Sequence, residues 1–255
     1  MKALQALRQP KPETTVEIGE AKTNEQMEDE LIEIIDIHLG KRNTPTFKKV
    51  EGFHPSYTNQ CARYWYYLFQ GVEVTTSFGA QTYRIFDNGH RVHDRLYSYF
   101  KEMGILVAEE IPVTYDDPPI TGTSDGIIDF YGRKVIELKS ISSEGFEYRK
   151  IYHKPKDDHY RQAQIYMKCL DLDQAFVIYE NKNNQAILPI LIDRDDEFIE
   201  KLFKKYRKFY KNFTEGTIPD QPYKITSEKC SSCDLFSLCW NGTNGERREE
   251  PVESF

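Results

Sequence analysis

The alternation of apolar and polar positions along the chain predicts an α/β fold. Apolar residues at helical spacing indicate helices over about 24–39, 57–70, 81–103, 157–170 and 195–213. Short apolar runs between turn residues indicate strands at about 105–115, 123–130, 133–140, 174–180 and 186–192. Helices and strands in this order predict a mixed central sheet flanked by helices.

The pattern divides the chain into three regions. Residues 1–50 combine a flexible, polar start with an acidic amphipathic helix at 24–39, which Gly40 is expected to cap and which is suited to dock a protein partner. Residues 51–240 form the predicted globular domain. Residues 241–255 read as a disordered acidic tail.

Composition narrows the class of protein. The 255 residues are 39% hydrophobic and 29% charged, as in an ordinary globular protein. No stretch approaches the roughly 18 apolar residues that span a bilayer, and the N-terminus lacks an apolar run of signal-peptide length. We therefore expect a cytoplasmic protein without a membrane segment. The net charge of −7 disfavours a nonspecific nucleic-acid coat protein.

The stretch GTSDGIIDFYGRKVIELKS, at 122–140, carries the clearest chemical signal. Glu137 and Lys139 are two residues apart on one predicted strand, so their side chains face the same way. A three-residue loop ending at Gly132, in the left-handed conformation, would pair 129 with 133 and 127 with 135.

The same register would place Asp125 opposite Glu137, with Cβ atoms about 4.5–5.5 Å apart. Two carboxylates that close repel each other unless a cation lies between them, and Mg or Mn prefers such oxygen ligands. The alternative is a hairpin with exposed charges. Against it, Glu137 is flanked by Val135, Ile136 and Leu138, an apolar run typical of a buried strand.

These residues resemble the core of the PD-(D/E)xK nucleases, and specifically the RecB branch. In that family a histidine is followed by G-x-x-D, E-x-K and Q-x-x-x-Y. The matching positions here, in the same order, are His93, Gly122 to Asp125, Glu137 to Lys139 and Gln162 to Tyr166. The resemblance implies a PD-(D/E)xK restriction-endonuclease-like core.

The resemblance also implies roles for the matching residues. The expected ligands of a Mg or Mn ion are His93, Asp125, Glu137 and the backbone carbonyl of Leu138. Lys139 would position and activate the attacking water, and Gln162 and Tyr166 would hold Lys139 or the substrate phosphate. A metal beside a lysine suits phosphodiester hydrolysis, which needs an attacking hydroxide and neutralisation of developing charge.

The implied function is a metal-dependent DNA nuclease. It would be an exonuclease acting on single-stranded ends in recombination, repair or CRISPR-like adaptation. The alternative is a non-catalytic DNA-binding accessory subunit on a nuclease scaffold, which would be free to lose His93, Asp125, Glu137 or Lys139. All four are present. A phosphotransfer enzyme is disfavoured because the chain has no G-x-x-x-x-G-K-[ST] loop.

The five cysteines indicate a metal centre. An odd number in a cytosolic chain argues against a disulfide framework. Cys230, Cys233 and Cys239 form a C-x2-C-x5-C cluster, and Cys61 lies far upstream. Four thiolates satisfy both zinc and a [4Fe–4S] cluster. Cys169 is interpreted as a small buried hydrophobic residue.

One cysteine before the core and three after it resembles the iron–sulfur members of the RecB-like nucleases, namely the CRISPR-associated Cas-four exonucleases and the AddB nuclease domain. The phrase HPSYTNQCAR, around Cys61, is similar to theirs. The resemblance implies a [4Fe–4S] cluster, with zinc in the same site as the alternative. This cluster would join the N- and C-terminal extensions of the core. The resemblance covers roughly residues 53–240.

Basic residues suggest where DNA would lie. The predicted loop 142–158 follows Lys139 directly, and its cations are candidate phosphate contacts: Arg149, Lys150, Lys154 and Lys156. The segment 201–211 mixes lysines with aromatic rings, which suits single strands because bases stack on rings while phosphates meet cations. For 201–211, a solvated helix face is the alternative.

Overall fold

A computed structural model of the chain describes residues 22–44, 46–74 and 78–241. It separates into two compact units, with the boundary between Arg42 and Asn43. The predictions made for 1–21 and for the acidic tail beyond Asn241 lie outside the described residues. Within the described part, no helix is both long enough and apolar enough to cross a membrane.

The first unit contains helix α1 (Asn24–Gly40), as the sequence predicts. Its N-terminus is a capping box, in which the Thr23 hydroxyl accepts a hydrogen bond from the Gln26 backbone and the Gln26 side chain accepts one from the Thr23 backbone. The expectation that Gly40 caps the helix is wrong. Gly40 is the last helical residue and Lys41 takes the cap position in a right-handed conformation.

The second unit is built on a five-stranded sheet with helices packed against it. Its strands are β1 (Thr46–Lys48), β2 (Val72–Val74), β3 (Leu106–Tyr115), β4 (Ile120–Asp129), β5 (Arg133–Ile141), β6 (Gln174–Asn181) and β7 (Ile187–Asp193). Its helices are α2 (Ala62–Gln70), α3 (Ala80–Glu102), α4 (Ser143–Tyr152), α5 (Asp157–Leu170), α6 (Asp196–Thr214), α7 (Glu228–Ser231) and α8 (Phe236–Asn241). This mixed α/β architecture confirms the predicted fold class.

The strand order in the main sheet is β3-β4-β5-β6-β7. Only β5 and β6 run parallel, joined by a crossover through α4 and α5, and the other neighbours are antiparallel. β1 and β2 form a separate two-stranded sheet. The strand β5 therefore lies at the centre of the sheet, with a neighbour on each side.

Strand β5 is buried on both faces. On one face Ile136 and Leu138 pack with Val92 and Leu96 of α3. On the other face Val135 packs with residues of α5. Because alternate residues of a strand face opposite sides, Glu137 and Lys139 share the face that α5 covers.

A third cluster of aromatic residues joins α2, α6 and the segment before α2. The Phe53 ring stacks on Tyr206 at 4.3 Å and meets Trp65 edge-on at 4.9 Å between ring centroids. The Phe53 backbone N–H donates to the Pro119 carbonyl at 2.7 Å. The apolar side predicted for α6 forms or flanks this cluster, with Phe198, Leu202, Phe203, Tyr206, Phe209 and Phe213.

The boundaries of two predicted elements near the core differ from those in the structure. The predicted loop 142–158 is helical over Ser143–Tyr152, capped by the Ser142 hydroxyl. Phe146 is the one fully buried residue of this helix, so the sequence carries little helical periodicity there. β4 begins at Ile120, not near 123, so Asp125 lies well inside the strand.

The start of the second unit also differs in detail. The helix predicted over 57–70 is a short 3₁₀ turn (Pro55–Tyr57) followed by α2 (Ala62–Gln70). β1 and β2 have no counterpart among the predicted strands, because three residues are too few for alternation to be recognised.

Two glycines provide a matched test of this architecture. Gly126 in β4 has φ +155°, and a Cβ there would lie 2.4 Å from the Ala108 carbonyl oxygen on β3. Gly126→Ala should therefore destabilise the protein by about 1–3 kcal/mol. A Cβ at Gly89 in α3 meets nothing within 4 Å, so Gly89→Ala should stabilise by up to about 1 kcal/mol. Urea unfolding measures both, and equal effects would contradict the register of β3 on β4.

Candidate functional site

The hairpin of β4 and β5 has the register that the sequence predicts. Ile127 pairs with Val135, and Asp129 pairs with Arg133. The loop between the strands is three residues long and ends at Gly132, which has φ +95°. Loop length and one glycine are therefore enough to align the two strands.

The backbone ladder stops one residue short of the expected pair between Asp125 and Glu137. Its last pair is Gly126 with Ile136. Asp125 instead reaches β5 through its side chain, whose Oδ2 accepts a hydrogen bond from the Leu138 N–H at 2.6 Å. The two carboxylates are thereby held next to each other at the open end of the hairpin.

Glu137 is a fully buried carboxylate with a single close partner. Its exposure is 0%, and among the described residues that partner is Lys139, whose amine forms an ion pair with Oε1. The second oxygen, Oε2, accepts no hydrogen bond from the described residues. Burial and then the charge of Asp125 raise the pKa of Glu137 to about 8, and Lys139 only partly opposes them.

The charges around Glu137 indicate whether a divalent cation would fit at this position. Glu137 and Asp125 supply two carboxylates, and the buried oxygens of Glu137 have no other donor. Lys139 is partly buried, which lowers its pKa, but Glu137 and Asp125 outweigh burial and raise it, so the amine stays cationic. When Glu137 is ionised, one lysine against two carboxylates leaves a surplus of negative charge, and the donor set suits a hard cation such as Mg or Mn.

Helix α3 presents His93 to the same place. Its Nδ1 lies 4.0 Å from Oδ1 of Asp125. One turn later, the Tyr97 hydroxyl donates to the Asp125 backbone carbonyl at 2.7 Å. Arg95 forms an ion pair with Glu180 of β6. These contacts fix α3 against the sheet and bring His93 into one group with Asp125, Glu137 and Lys139, which we call the acidic site.

Gln162 and Tyr166 lie on the buried face of α5. The Gln162 amide donates to the Tyr166 hydroxyl at 3.2 Å, and that hydroxyl donates to the Thr123 carbonyl at 2.7 Å. Thr123 is two residues before Asp125 on β4. In this arrangement the pair supports the strand that carries Asp125, and its expected contact with Lys139 or a phosphate stays a prediction.

Three supporting residues were not found from the sequence: Tyr97, Glu180 and Tyr179. The Tyr179 hydroxyl accepts from the Lys156 backbone N–H at 3.0 Å and bonds Nδ1 of His159 at 2.9 Å. Burial and the charge of Lys139 lower the pKa of His159 to about 3, so the ring is neutral. Helical spacing could have identified Tyr97, because it follows His93 by one turn of α3. Tyr179 lies within an apolar strand, where the sequence pattern does not distinguish it from a core residue.

The four cations expected to contact DNA lie on α4 and just after it. Arg149 and Lys156 line a cavity of about 610 Å³ beside the start of α4. Lys154 pairs with Asp157 at 3.6 Å, Lys156 pairs with Asp158 at 2.8 Å, and Lys150 is exposed. Their contact with DNA stays a prediction.

The structure brings together the four cysteines expected to share one centre. Cys61 precedes α2, and the other three lie in and between α7 and α8. All four line one cavity of about 510 Å³: Cys61, Cys230, Cys233 and Cys239. Cys169 packs between two hydrophobic clusters instead, where burial raises its pKa to about 12.

A buried arginine ties the two ends of this cysteine cavity together. The Arg63 guanidinium donates to the Pro219 carbonyl at 3.0 Å and to the Cys239 carbonyl at 3.4 Å. Burial raises the pKa of the Cys239 thiol, and the charge of Arg63 opposes this. Helix α2 and the C-terminal segment are therefore joined next to the thiols.

Neither group has the finished geometry of a metal site. Among the described residues, no three His, Cys, Asp or Glu side chains are arranged to hold a metal ion as they stand. Side chains at the acidic site or in the cysteine cavity would have to rotate to bind one. The identity of any metal at either place is therefore a proposal.

Comparison with known proteins gives similarities of fold. No protein-family profile and no curated protein matches the chain. An alkaline exonuclease from Laribacter hongkongensis has 17% identity and a TM-score of 0.47, over 65% of this chain and 89% of that one. The protein SSO0001 has 16% identity and a TM-score of 0.46, over 82% and 96%. A phage-related exonuclease from Haemophilus somnus has 19% identity and a TM-score of 0.35, over 50% and 73%.

The buried charge of Glu137 predicts how stability changes with pH. An ordinary glutamate ionises near pH 4.5, and native Glu137 near pH 8. Between these values the native state binds the extra proton, so in chelator the free energy of unfolding falls by about 1.4 kcal/mol per pH unit from this group as pH rises.

Glu137→Gln should remove this slope in urea unfolding measured from about pH 5 to 8. Added Mn should flatten it in the wild-type protein, because a bound cation favours the ionised carboxylate. Asp129→Asn, at the exposed end of the same hairpin, is the control and should keep the slope. The same slope in wild type and Glu137→Gln would contradict the buried-charge assignment.

Proposed function

We propose that this chain is a metal-dependent DNA nuclease, acting as an exonuclease on single-stranded ends. The observation that carries the proposal is Glu137, a buried carboxylate whose one close partner among the described residues is Lys139, held beside the second carboxylate of Asp125. The motif order shared with the PD-(D/E)xK nucleases supplies the substrate class.

The roles follow from the charges of the acidic site. A Mg or Mn ion held by His93, Asp125, Glu137 and the Leu138 carbonyl would supply Lewis acidity and lower the pKa of a water. Lys139 keeps its proton, because Glu137 and Asp125 raise its pKa. It would therefore act by charge, donating hydrogen bonds that orient the attacking water and stabilise the phosphate, and not as a base.

The surrounding hydrogen bonds hold these groups in place. The Leu138 N–H orients one oxygen of Asp125. Tyr97 and Tyr166 donate to backbone carbonyls of β4, at Asp125 and Thr123. Preorganised donors of this kind reduce the reorganisation that the reaction requires. In this proposal Gln162 and Tyr166 position β4.

We further propose that Cys61, Cys230, Cys233 and Cys239 bind a [4Fe–4S] cluster, with zinc as the alternative. Support comes from their shared cavity and from the split of one cysteine before the core and three after it. The role is structural, because binding both ends of a long loop at one centre contributes to folding free energy. A protein partner for the helix at 24–39 stays part of the proposal.

Cleavage of end-labelled and circular single-stranded DNA with Mn tests the nuclease proposal. Wild type should shorten linear strands from an end and leave circles intact. Asp125→Asn and Glu137→Gln should each lower the rate at least about 100-fold, and Lys139→Ala should do so while Mn binding persists. Asp129→Asn should cleave normally. DNA binding without cleavage in the wild-type protein would identify an accessory subunit instead.

Anaerobic purification tests the cysteine centre. The protein should be brown, with broad absorption at roughly 400 nm, as expected for a [4Fe–4S] cluster. Alanine at Cys61, Cys230, Cys233 or Cys239 should remove the colour and lower solubility, whereas Cys169→Ala should not. A colourless protein with about one zinc per chain would replace the cluster by zinc. Colour lost at Cys169 but kept at Cys61 would overturn the shared centre.

A further inference from the structure

Two cavities of the second unit adjoin each other. The cavity at the start of α4 and the cysteine cavity share two lining residues, Asn59 and Lys156. Lys156 also contacts the Tyr179 hydroxyl through its backbone N–H, and Tyr179 pairs with Lys139 between β6 and β5. One trough therefore extends from beside the acidic site to the cysteines.

Cations from separate helices border this trough. Arg161 of α5 donates to the side-chain oxygen of Asn59 at 2.7 Å. Lys229 of α7 lines the cysteine cavity and lies over the Tyr223 ring, 4.7 Å from its centroid. Arg161 thus adjoins the trough through Asn59, which lines both cavities, and Lys229 lies in the wall of the cysteine cavity.

Within the described part of the chain, Arg161 and Lys229 form no ion pair with Asp or Glu. Other cations do: Lys101 pairs with Glu109 at 2.9 Å and Lys168 pairs with Asp196 at 3.0 Å. Carboxylates also line the trough, namely Glu144, Asp157, Asp158 and Glu228. Of these, Asp157 pairs with Lys154 and Asp158 with Lys156. Arg161 and Lys229 are therefore cations beside the trough that an anionic ligand can pair with.

We propose that the trough binds the backbone of single-stranded DNA beyond the acidic site, with Arg161 and Lys229 contacting phosphates and Tyr223 stacking on a base. Cations next to aromatic rings are the combination that binds single strands without sequence preference. The inference rests on the proposed nuclease function and extends it. It assigns the cysteine-bearing segment to the far end of the DNA path.

In this proposal the cysteine centre also positions a DNA-contacting residue, Lys229. Lys229 immediately precedes Cys230 in α7, a helix of four residues. So short a helix depends on its surroundings for its structure. Ligation of Cys230 and Cys233 would therefore fix Lys229 and the nearby Tyr223 in the places where DNA meets them.

The test measures DNA affinity against salt concentration. Anaerobically prepared full-length protein is titrated into a labelled oligothymidylate of about 20 nucleotides, with Mg and Mn omitted. The double variant Arg161→Gln/Lys229→Gln should reduce the slope of log affinity against log salt by roughly 1.4, and Arg161→Gln alone by roughly 0.7. The control Lys101→Gln/Lys168→Gln removes two cations that are paired with Glu109 and Asp196, away from both cavities, and should leave the slope unchanged.

Tyr223 provides an independent measurement. Tyr223→Ala should weaken binding roughly 5- to 150-fold, the range measured for loss of one base stack, and Tyr223→Phe should restore it. An unchanged slope in the Arg161→Gln/Lys229→Gln variant would overturn the proposal. Loss of iron or zinc from that variant, with the slope unchanged, would also overturn it. In that case Arg161 and Lys229 would serve to balance the negative charge of the cysteine centre and would not bind DNA.

Failure of the two proposals can be told apart. A wild-type protein that binds the oligonucleotide with the expected salt slope but does not cleave DNA with Mn removes the nuclease proposal and keeps the trough. A wild-type protein that cleaves DNA while Arg161→Gln/Lys229→Gln keeps the full slope removes the trough and keeps the nuclease.

Discussion

Glu137 lies in a strand that is buried on both faces, and among the described residues Lys139 is the one close partner of its carboxylate. Placing an ionised carboxylate in such a position costs several kcal/mol unless another charge offsets it. Lys139 supplies one positive charge, but Asp125 adds a second negative one nearby. The negative charge buried around β5 is therefore balanced only when the Glu137 carboxylate binds a proton or a cation.

Much of the surrounding structure holds this unfavourable arrangement in place. Apolar packing by α3 on one face of the sheet and α5 on the other excludes water from β5. The ion pair between Arg95 and Glu180 joins α3 to β6, and Tyr97 joins it to β4. These contacts hold α3 and the β4–β5 hairpin together around the repelling carboxylates.

The sequence was enough to predict the parts of the site that depend on local rules. The register of β4 on β5 follows from a three-residue loop and Gly132, and the shared face of Glu137 and Lys139 follows from strand periodicity. Residues that meet only through tertiary packing had no such signal. In the sequence Glu180 is only the end of an apolar strand, and its ion pair with Arg95 forms because α3 packs against the sheet. Helix α4 was missed for a related reason, since Phe146 is its one fully buried residue.

The local distribution of charge matters more than the net charge for the ligands that this protein can bind. The formal charge of −7 includes the carboxylates of the acidic site, and four thiolates would add further negative charge at the cysteine cavity. A divalent cation would offset the two carboxylates of the acidic site, whereas zinc or a [4Fe–4S] core would leave the four thiolates with a net negative charge. Lys156, Arg161 and Lys229 lie along the trough that joins the two places, and their field acts over about one Debye length, roughly 8 Å in physiological salt. In the proposed path they are therefore cations that a phosphate backbone would meet at close range.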